Sequence, residues 1–192
     1  MNKLIPTILC CCALFTTGIV MGQNGDMDAQ MKAWTAYMTP GNEHKQMEKS
    51  VGDWKVVTKM WMDPSQPPTT TEARAKNEMI MGGRYLMGSY KGEMMGMPFE
   101  GYSMTGYDNA AKKYVSTWVD NMGTGIMYLE GKWRDDIKGI EFRGNAVDPM
   151  TGKDMKVREV LMFKDDKTQM MEMYMEDKGK EMKTMELTMT KM

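Results

Sequence analysis

An alternation of apolar and polar residues with a period of two is the feature that most limits what this chain can fold into. It begins at Trp54 and recurs to the C-terminus. Such alternation is typical of β-strands that bury one face. Turn-forming pairs such as Gly82-Gly83 and Asp148-Pro149 separate the alternating segments. The predicted strands are Trp54 to about Met62 and segments near 69–81, 84–95, 98–107, 113–120, 126–133, 138–147, 154–164, 168–176 and 181–191.

Ten short segments with no helical pattern between them favour antiparallel strands joined in sequence order. Closing such a sheet into a barrel gives its two edge strands partners, which removes exposed edges. We therefore predict an all-β fold, an up-and-down antiparallel barrel of about ten strands with a short helical N-terminal segment. A two-sheet sandwich is the alternative. An outer-membrane barrel is less favoured, because the turns are short at both ends and aromatic girdles are not evident.

The first 22 residues have the pattern of a secretory signal peptide. Lys3 precedes an almost uncharged run from Leu4 to Met21, and Val20-Met21-Gly22 is the expected cleavage site. A retained membrane anchor is the alternative, but the run is marginal in length for a ~20-residue span. We therefore expect a secreted or periplasmic protein, cleaved near Gly22, with no stable membrane insertion after cleavage. All three cysteines lie in this segment, so the mature chain would have no disulfide and no thiolate.

The mature chain is predicted to contain a helical segment over residues 23–50 and a barrel domain over 51–192. Asp26 can cap the first helix, and a second short helix is expected over 43–49, carrying His44. The first helix has one apolar stripe at helical spacing, formed by Met27, Met31, Trp34 and Met38.

Composition excludes several classes of function. Lys and Arg total 25 against 26 Asp and Glu, so the chain lacks the basic charge of a typical nucleic-acid binder. His44 is the single histidine, which leaves no visible haem ligand, zinc spacing or Ser-His-Asp site. We expect no cofactor and no bound metal. The 28 methionines still admit Cu(I) binding through Met94, Met95 and Met97, although methionine is also an adaptable core residue.

Strand parity predicts which side chains face the barrel interior. Glu159 shares a face with Val157 and Leu161, so one carboxylate is expected among apolar residues. It would pair with an arginine such as Arg84 or with a hydroxyl group, have a raised pKa, or contact a ligand. The parity of residues 114–120 leaves open whether Trp118 and Asp120 face inward. The predicted ligand-contacting residues are Trp54, Met60, Arg84, Met97, Phe99, Trp118, Met127, Glu159, Met171 and Met173.

Two resemblances bear on the fold. Several ordered sequence blocks resemble a family of secreted bacterial proteins catalogued as domain of unknown function 1579, and the similarity covers roughly residues 30 to 192. It implies a secreted single-domain protein and brings no established activity. The matching blocks are 49–56, 61–64, 98–101, 105–109, 116–125 and 148–153.

The second resemblance is to the lipocalins and related calycin barrels, in which a Gly-x-Trp motif opens the first strand. Gly52-Asp53-Trp54 is similar to this motif. In lipocalins the tryptophan packs under an arginine from a terminal strand, whereas the last predicted strand here carries Lys183 and Lys191. The resemblance implies a calycin-like barrel.

From these observations we expect a non-enzymatic carrier or sensor whose partner is a small, largely apolar molecule. Two alternatives remain open. One is a carboxylate-based hydrolase or isomerase in the same cavity, in which Glu159 acts with Asp120, Glu78 or Glu100. The other is a methionine-rich Cu(I)-binding protein.

Overall fold

The computed structural model describes residues 22–63, 65–177 and 179–192. The predicted signal peptide therefore lies outside the described residues, apart from Gly22. Two helices, α1 and α2, precede ten strands, β1 to β10. Their bounds are α1 Gly22–Met38, α2 Asn42–Glu48, β1 Gly52–Met60, β2 Thr69–Ile80, β3 Tyr85–Met94, β4 Met97–Asp108, β5 Lys113–Asp120, β6 Met127–Arg134, β7 Gly139–Val147, β8 Asp154–Asp165, β9 Thr168–Asp177 and β10 Lys180–Lys191.

The ten strands form a closed antiparallel barrel. Each strand pairs with the next along the chain, and β1 also pairs with β10. Val56 on β1, for example, lies opposite Ala73 on β2 and opposite Met189 on β10. Closure gives both sides of every strand a hydrogen-bonding partner. The predicted up-and-down barrel is confirmed, and its strands begin and end within two residues of the positions expected from the alternation.

The described residues divide into two units, one ending at residue 36 and one over residues 37–192. The first unit contains most of α1, where the side chains of Met27, Met31 and Trp34 are exposed. Asp26 lies inside α1 and does not cap it, because the helix already begins at Gly22. Among the described residues, no helix is both long and apolar enough to cross a membrane.

The short helix α2 packs into the barrel at the end where β1 begins, which we call the helix end. Met47 is only 2% exposed and lies in the main core cluster with Tyr114 and Phe142. His44 is also buried, and its Nδ1 atom accepts a hydrogen bond from the Gly41 backbone N–H at 3.0 Å. Burial lowers the pKa of His44, because desolvation disfavours the imidazolium.

The Gly52-Asp53-Trp54 motif fixes the entry into the barrel. The Trp54 ring is fully buried, and its Nε1 atom donates to the Ser50 carbonyl at 2.9 Å. The Lys191 ammonium, from the last strand, lies over this ring, 5.5 Å from its centroid. Gly52 has a φ of 132°, and a Cβ atom there would lie 2.9 Å from the Lys191 side chain. Glycine is therefore required at this position.

Truncating Met47 tests whether α2 is part of the core. Met47→Ala removes buried apolar contacts and leaves a cavity, so we expect the free energy of unfolding to fall by about 2–5 kcal/mol in urea denaturation. Met104→Ala, on the exposed outer wall of β4, is the matched control and should change it by less than about 0.5 kcal/mol. Equal losses in the two variants would contradict the packing of α2 described above.

Candidate ligand-binding cavity

The barrel encloses a cavity of about 270 Å³. A barrel of eight strands is just wide enough to be filled by side chains or to hold one small ligand, and the diameter grows with the number of strands. Ten strands therefore leave space inside. Methionine is the most frequent residue in the cavity lining, and the lining methionines are Met60, Met94, Met127, Met171, Met173, Met185 and Met189.

Three aromatic side chains form one wall of this cavity. The rings of Tyr90 and Trp118 meet edge to face with their centroids 5.2 Å apart, and Phe99 stacks near Trp118 at 6.3 Å. Gly101 on β4 makes this possible, because a Cβ atom there would lie 2.6 Å from the Trp118 ring. The Trp118 ring therefore lies across the backbone of the neighbouring strand.

The structure also decides the parity of β5. Ser116, Trp118 and Asp120 line the cavity, whereas Val119 is exposed on the outer wall. The Trp118 Nε1 atom donates a hydrogen bond to Asp120 Oδ2 at 2.6 Å, and the Met122 backbone N–H donates to Asp120 Oδ1 at 2.9 Å. The Asp120 carboxylate is thus held by two donors.

Glu159 is a cavity-lining carboxylate between apolar neighbours. It lies on β8, opposite Phe142 on β7 and Met173 on β9. Among the described residues, no hydrogen bond or ion pair reaches its carboxyl group. Desolvation raises the pKa of Glu159 to about 7. The expected ion pair with Arg84 is wrong, because the Arg84 guanidinium donates to the carbonyls of Met81 and Met38 at 2.9 and 2.7 Å.

Further polar groups face the same cavity. Burial raises the pKa of Tyr90 to about 12; the nearby charge of Glu159 also raises it, while a hydrogen bond with Ser103 opposes the shift. Asn77 is only 5% exposed, and its Oδ1 atom is buried with no hydrogen-bond partner among the described residues. Gln169 is also buried, and its Oε1 atom accepts a hydrogen bond from the Ser50 hydroxyl at 3.2 Å.

Seven of the ten residues predicted to contact a ligand line the cavity. The inward parity of their strands placed them there. They are Met60, Phe99, Trp118, Met127, Glu159, Met171 and Met173.

The other three are not among the residues that line the cavity. Trp54 has the inward parity but lies at the helix end, where Val56, Ala75 and Met189 pack around it. Arg84 belongs to the hairpin between β2 and β3, outside both strands. Met97 is the first residue of β4, at the opposite end of the barrel, and half of its side chain is exposed.

Asn77, Tyr90, Ser103 and Gln169 line the cavity but were not among the predicted contacts. Parity alone could have placed two of them there. Asn77 shares an alternating face with Ala75, and Gln169 shares one with Met171. Both side chains are polar, and polar residues are found mostly on the exposed face of a strand.

The structure separates the carboxylates proposed to act with Glu159. Asp120 lines the same cavity. Glu78 is exposed on the outer wall of β2, and Glu100 forms a salt bridge with Lys91 at 3.3 Å. Both point away from the cavity, because they lie one residue out of phase with the inward faces of their strands. A pairing of Glu159 with Glu78 or Glu100 is therefore wrong.

The candidate copper ligands lie around one hairpin turn. Met94 pairs with Met97, and Met95 and Gly96 between them both have positive φ, as a two-residue turn requires. Met94 borders the cavity, while the side chains of Met95 and Met97 are exposed.

The molecule is a closed ten-stranded antiparallel barrel with an internal cavity, which is consistent with the calycin-like resemblance of its sequence. Comparison of sequences then identifies the family. The model of the family described as "Protein of unknown function (DUF1579)" matches residues 39–191, and the chain belongs to this family. The match begins just before α2 and spans the barrel. No curated protein matches the sequence.

The raised pKa of Glu159 predicts how stability depends on pH. Below pH 4.5 the carboxyl group is protonated in both the folded and the unfolded chain, so it contributes no difference. Between pH 4.5 and about 7 the unfolded chain loses this proton first, which favours unfolding. Through Glu159 alone, the free energy of unfolding therefore falls as the pH rises through this range.

Glu159→Gln removes the titrating group and should become more stable relative to the wild type as the pH rises from 4 to 8. The relative gain should reach roughly 3 kcal/mol by urea denaturation. Glu78→Gln makes the same substitution on the exposed outer wall and is the matched control. A constant difference for Glu159→Gln would show that this carboxyl group titrates normally.

Proposed function

We propose that this protein is a secreted or periplasmic, non-enzymatic carrier or sensor of a small, largely apolar ligand. The observation that carries the proposal is the cavity of about 270 Å³ inside the barrel, lined mainly by methionine, aliphatic and aromatic side chains. Binding pockets for small molecules have this character, with a few polar groups that orient the ligand.

The composition of the wall supports an apolar ligand of modest size. Pockets for drug-sized ligands span roughly 300–1,000 Å³, so this cavity suits a ligand at or below the lower end of that range. Methionine side chains have several rotatable bonds and a polarizable sulfur, which allows them to adapt to the shape of a guest. Tyr90, Phe99 and Trp118 offer flat surfaces for a conjugated or aliphatic body.

The sequence supports a location outside the cytoplasm. Its first 22 residues have the charged start, apolar middle and small-residue exit of a secretory signal peptide. The remaining chain contains no cysteine, so it needs no disulfide in an oxidising compartment.

A second candidate function is carboxylate-based hydrolysis or isomerisation in the same cavity. It is supported by Glu159, because a pKa of about 7 suits a group that both accepts and donates a proton near neutral pH. If this candidate holds, proton abstraction from 5-nitrobenzisoxazole should be catalysed by the wild type and lost in Glu159→Gln. Equal rates in the two proteins would exclude Glu159 as the base.

Ligand binding can be tested with N-phenyl-1-naphthylamine, an uncharged apolar molecule whose fluorescence rises in apolar surroundings. We expect it to bind the wild type with one site per chain. Ser116→Phe places a ring inside the cavity and should weaken binding by at least about tenfold, because the added volume competes with the probe. Native mass spectrometry of protein purified from its own host should also detect a bound small molecule.

Val119→Phe is the matched control, since it adds the same ring to the exposed outer face of the same strand. It should leave probe binding unchanged. Circular dichroism and thermal melting establish that both variants are folded. Absence of probe binding to the wild type, or equal weakening in both variants, would contradict binding inside the barrel.

A further inference from the structure

The charged groups of the cavity are all acidic. Asp120 and Glu159 line it, and among the described residues of the lining none is Lys, Arg or His. Asp120 is held by the Trp118 and Met122 N–H groups, whereas Glu159 has no protein partner among the described residues. The cavity therefore contains one carboxylate for which the described barrel supplies no counter-charge.

Leaving a carboxylate without a partner in apolar surroundings is unfavourable. Most buried carboxylates are paired with a cation or with several hydrogen-bond donors. The neighbours of Glu159 across the strands, Phe142 and Met173, can supply neither. A ligand group with a positive charge would supply the missing partner of the Glu159 carboxylate.

A second unpaired acceptor faces the same space. Asn77 Oδ1 is buried without a donor among the described residues, although most buried polar atoms have a partner. It lies on β2, and Gly88 on β3 and Ser103 on β4 follow it across the sheet. Asn77 Oδ1 is thus a second acceptor without a donor in the described part of the chain, and a ligand that donates hydrogen bonds would complement it.

The aromatic wall is a third feature of the cavity that favours a positively charged ligand. Aromatic faces attract organic cations, and the effect is larger where water is excluded. Tyr90, Phe99 and Trp118 present such faces in the cavity that also contains Glu159. Tyr90 is close enough to Glu159 for the carboxylate charge to act on its hydroxyl group.

We propose that the ligand is a lipophilic amine, with an apolar body held by the methionines and aromatic rings and a protonated amino group that pairs with Glu159. This proposal rests on the proposed function and deepens it by giving the chemical class of the ligand. A carboxylic acid would meet two like charges in the cavity. A neutral alcohol would leave Glu159 without a counter-charge.

Three probes with the same tail distinguish these chemistries. Octylamine, 1-octanol and octanoate are each used to displace N-phenyl-1-naphthylamine from the wild type at pH 8. We expect octylamine to bind at least about tenfold more tightly than 1-octanol, since a charged hydrogen bond replaces an unpaired carboxylate, and octanoate to bind most weakly.

Glu159→Gln should reduce the preference for octylamine over 1-octanol to less than about threefold while the naphthylamine probe still binds. Glu78→Gln removes a carboxylate from the outer wall and should retain the full preference. This control separates pairing inside the cavity from a general attraction of the amine to an acidic surface.

Dependence on pH provides an independent measurement. Among the described residues of the lining, the other titratable side chains are Tyr90 and Asp120, and the uncharged Phe142 and Met173 lie beside Glu159. Because the pKa of Glu159 is about 7, octylamine affinity in the wild type should rise by roughly tenfold from pH 6 to pH 8. It should remain nearly constant in Glu159→Gln.

The outcomes separate the two proposals. If the naphthylamine probe fails to bind the wild type, the proposed ligand-binding function fails, and the amine proposal fails with it. If the probe binds but 1-octanol or octanoate equals octylamine, only the amine proposal is overturned. An amine preference that persists in Glu159→Gln would also overturn it, because another group would then hold the amine.

Discussion

Hydrogen bonding between β1 and β10 is the constraint on which the rest of the structure depends. Without it the ten strands would form an open sheet with two unpaired edges and no enclosed interior. With it, the inward face of every strand points to a common axis. Successive side chains along a strand therefore face the interior and the solvent in turn. The closing strand also brings Lys191 over the buried Trp54, which joins the end of the chain to its first strand.

The cavity follows from the number of strands and from where large side chains lie. Met47 from α2 and the core around Tyr114, Leu129 and Phe142 fill part of the interior. The aromatic wall and the methionines surround the space that remains. Gly101 allows the Trp118 ring to cross β4, and a larger residue there would displace the ring. Of the 28 methionines in the sequence, seven border the cavity.

Glu159 places an unpaired carboxyl group in this apolar interior. A carboxyl group opposite Phe142 and Met173 is desolvated, and this alone explains why its pKa is raised. A binding role and an acid-base role both draw on the same property, because an unpaired carboxylate can hold a cation or move a proton. The Asp120 carboxylate, by contrast, is not unpaired, since it accepts hydrogen bonds from two N–H groups.

The sequence by itself determined the fold class, the strand positions and the inward parity of residues such as Met60, Glu159 and Met171. These follow from a local rule, because successive side chains on a strand point to opposite faces. Only the tertiary structure decided the orientation of β5, the burial of Trp54 at the helix end, the hairpin contacts of Arg84 and the unpaired state of Glu159. Each of these depends on which residues meet across strands distant in sequence, and local alternation carries no information about such contacts.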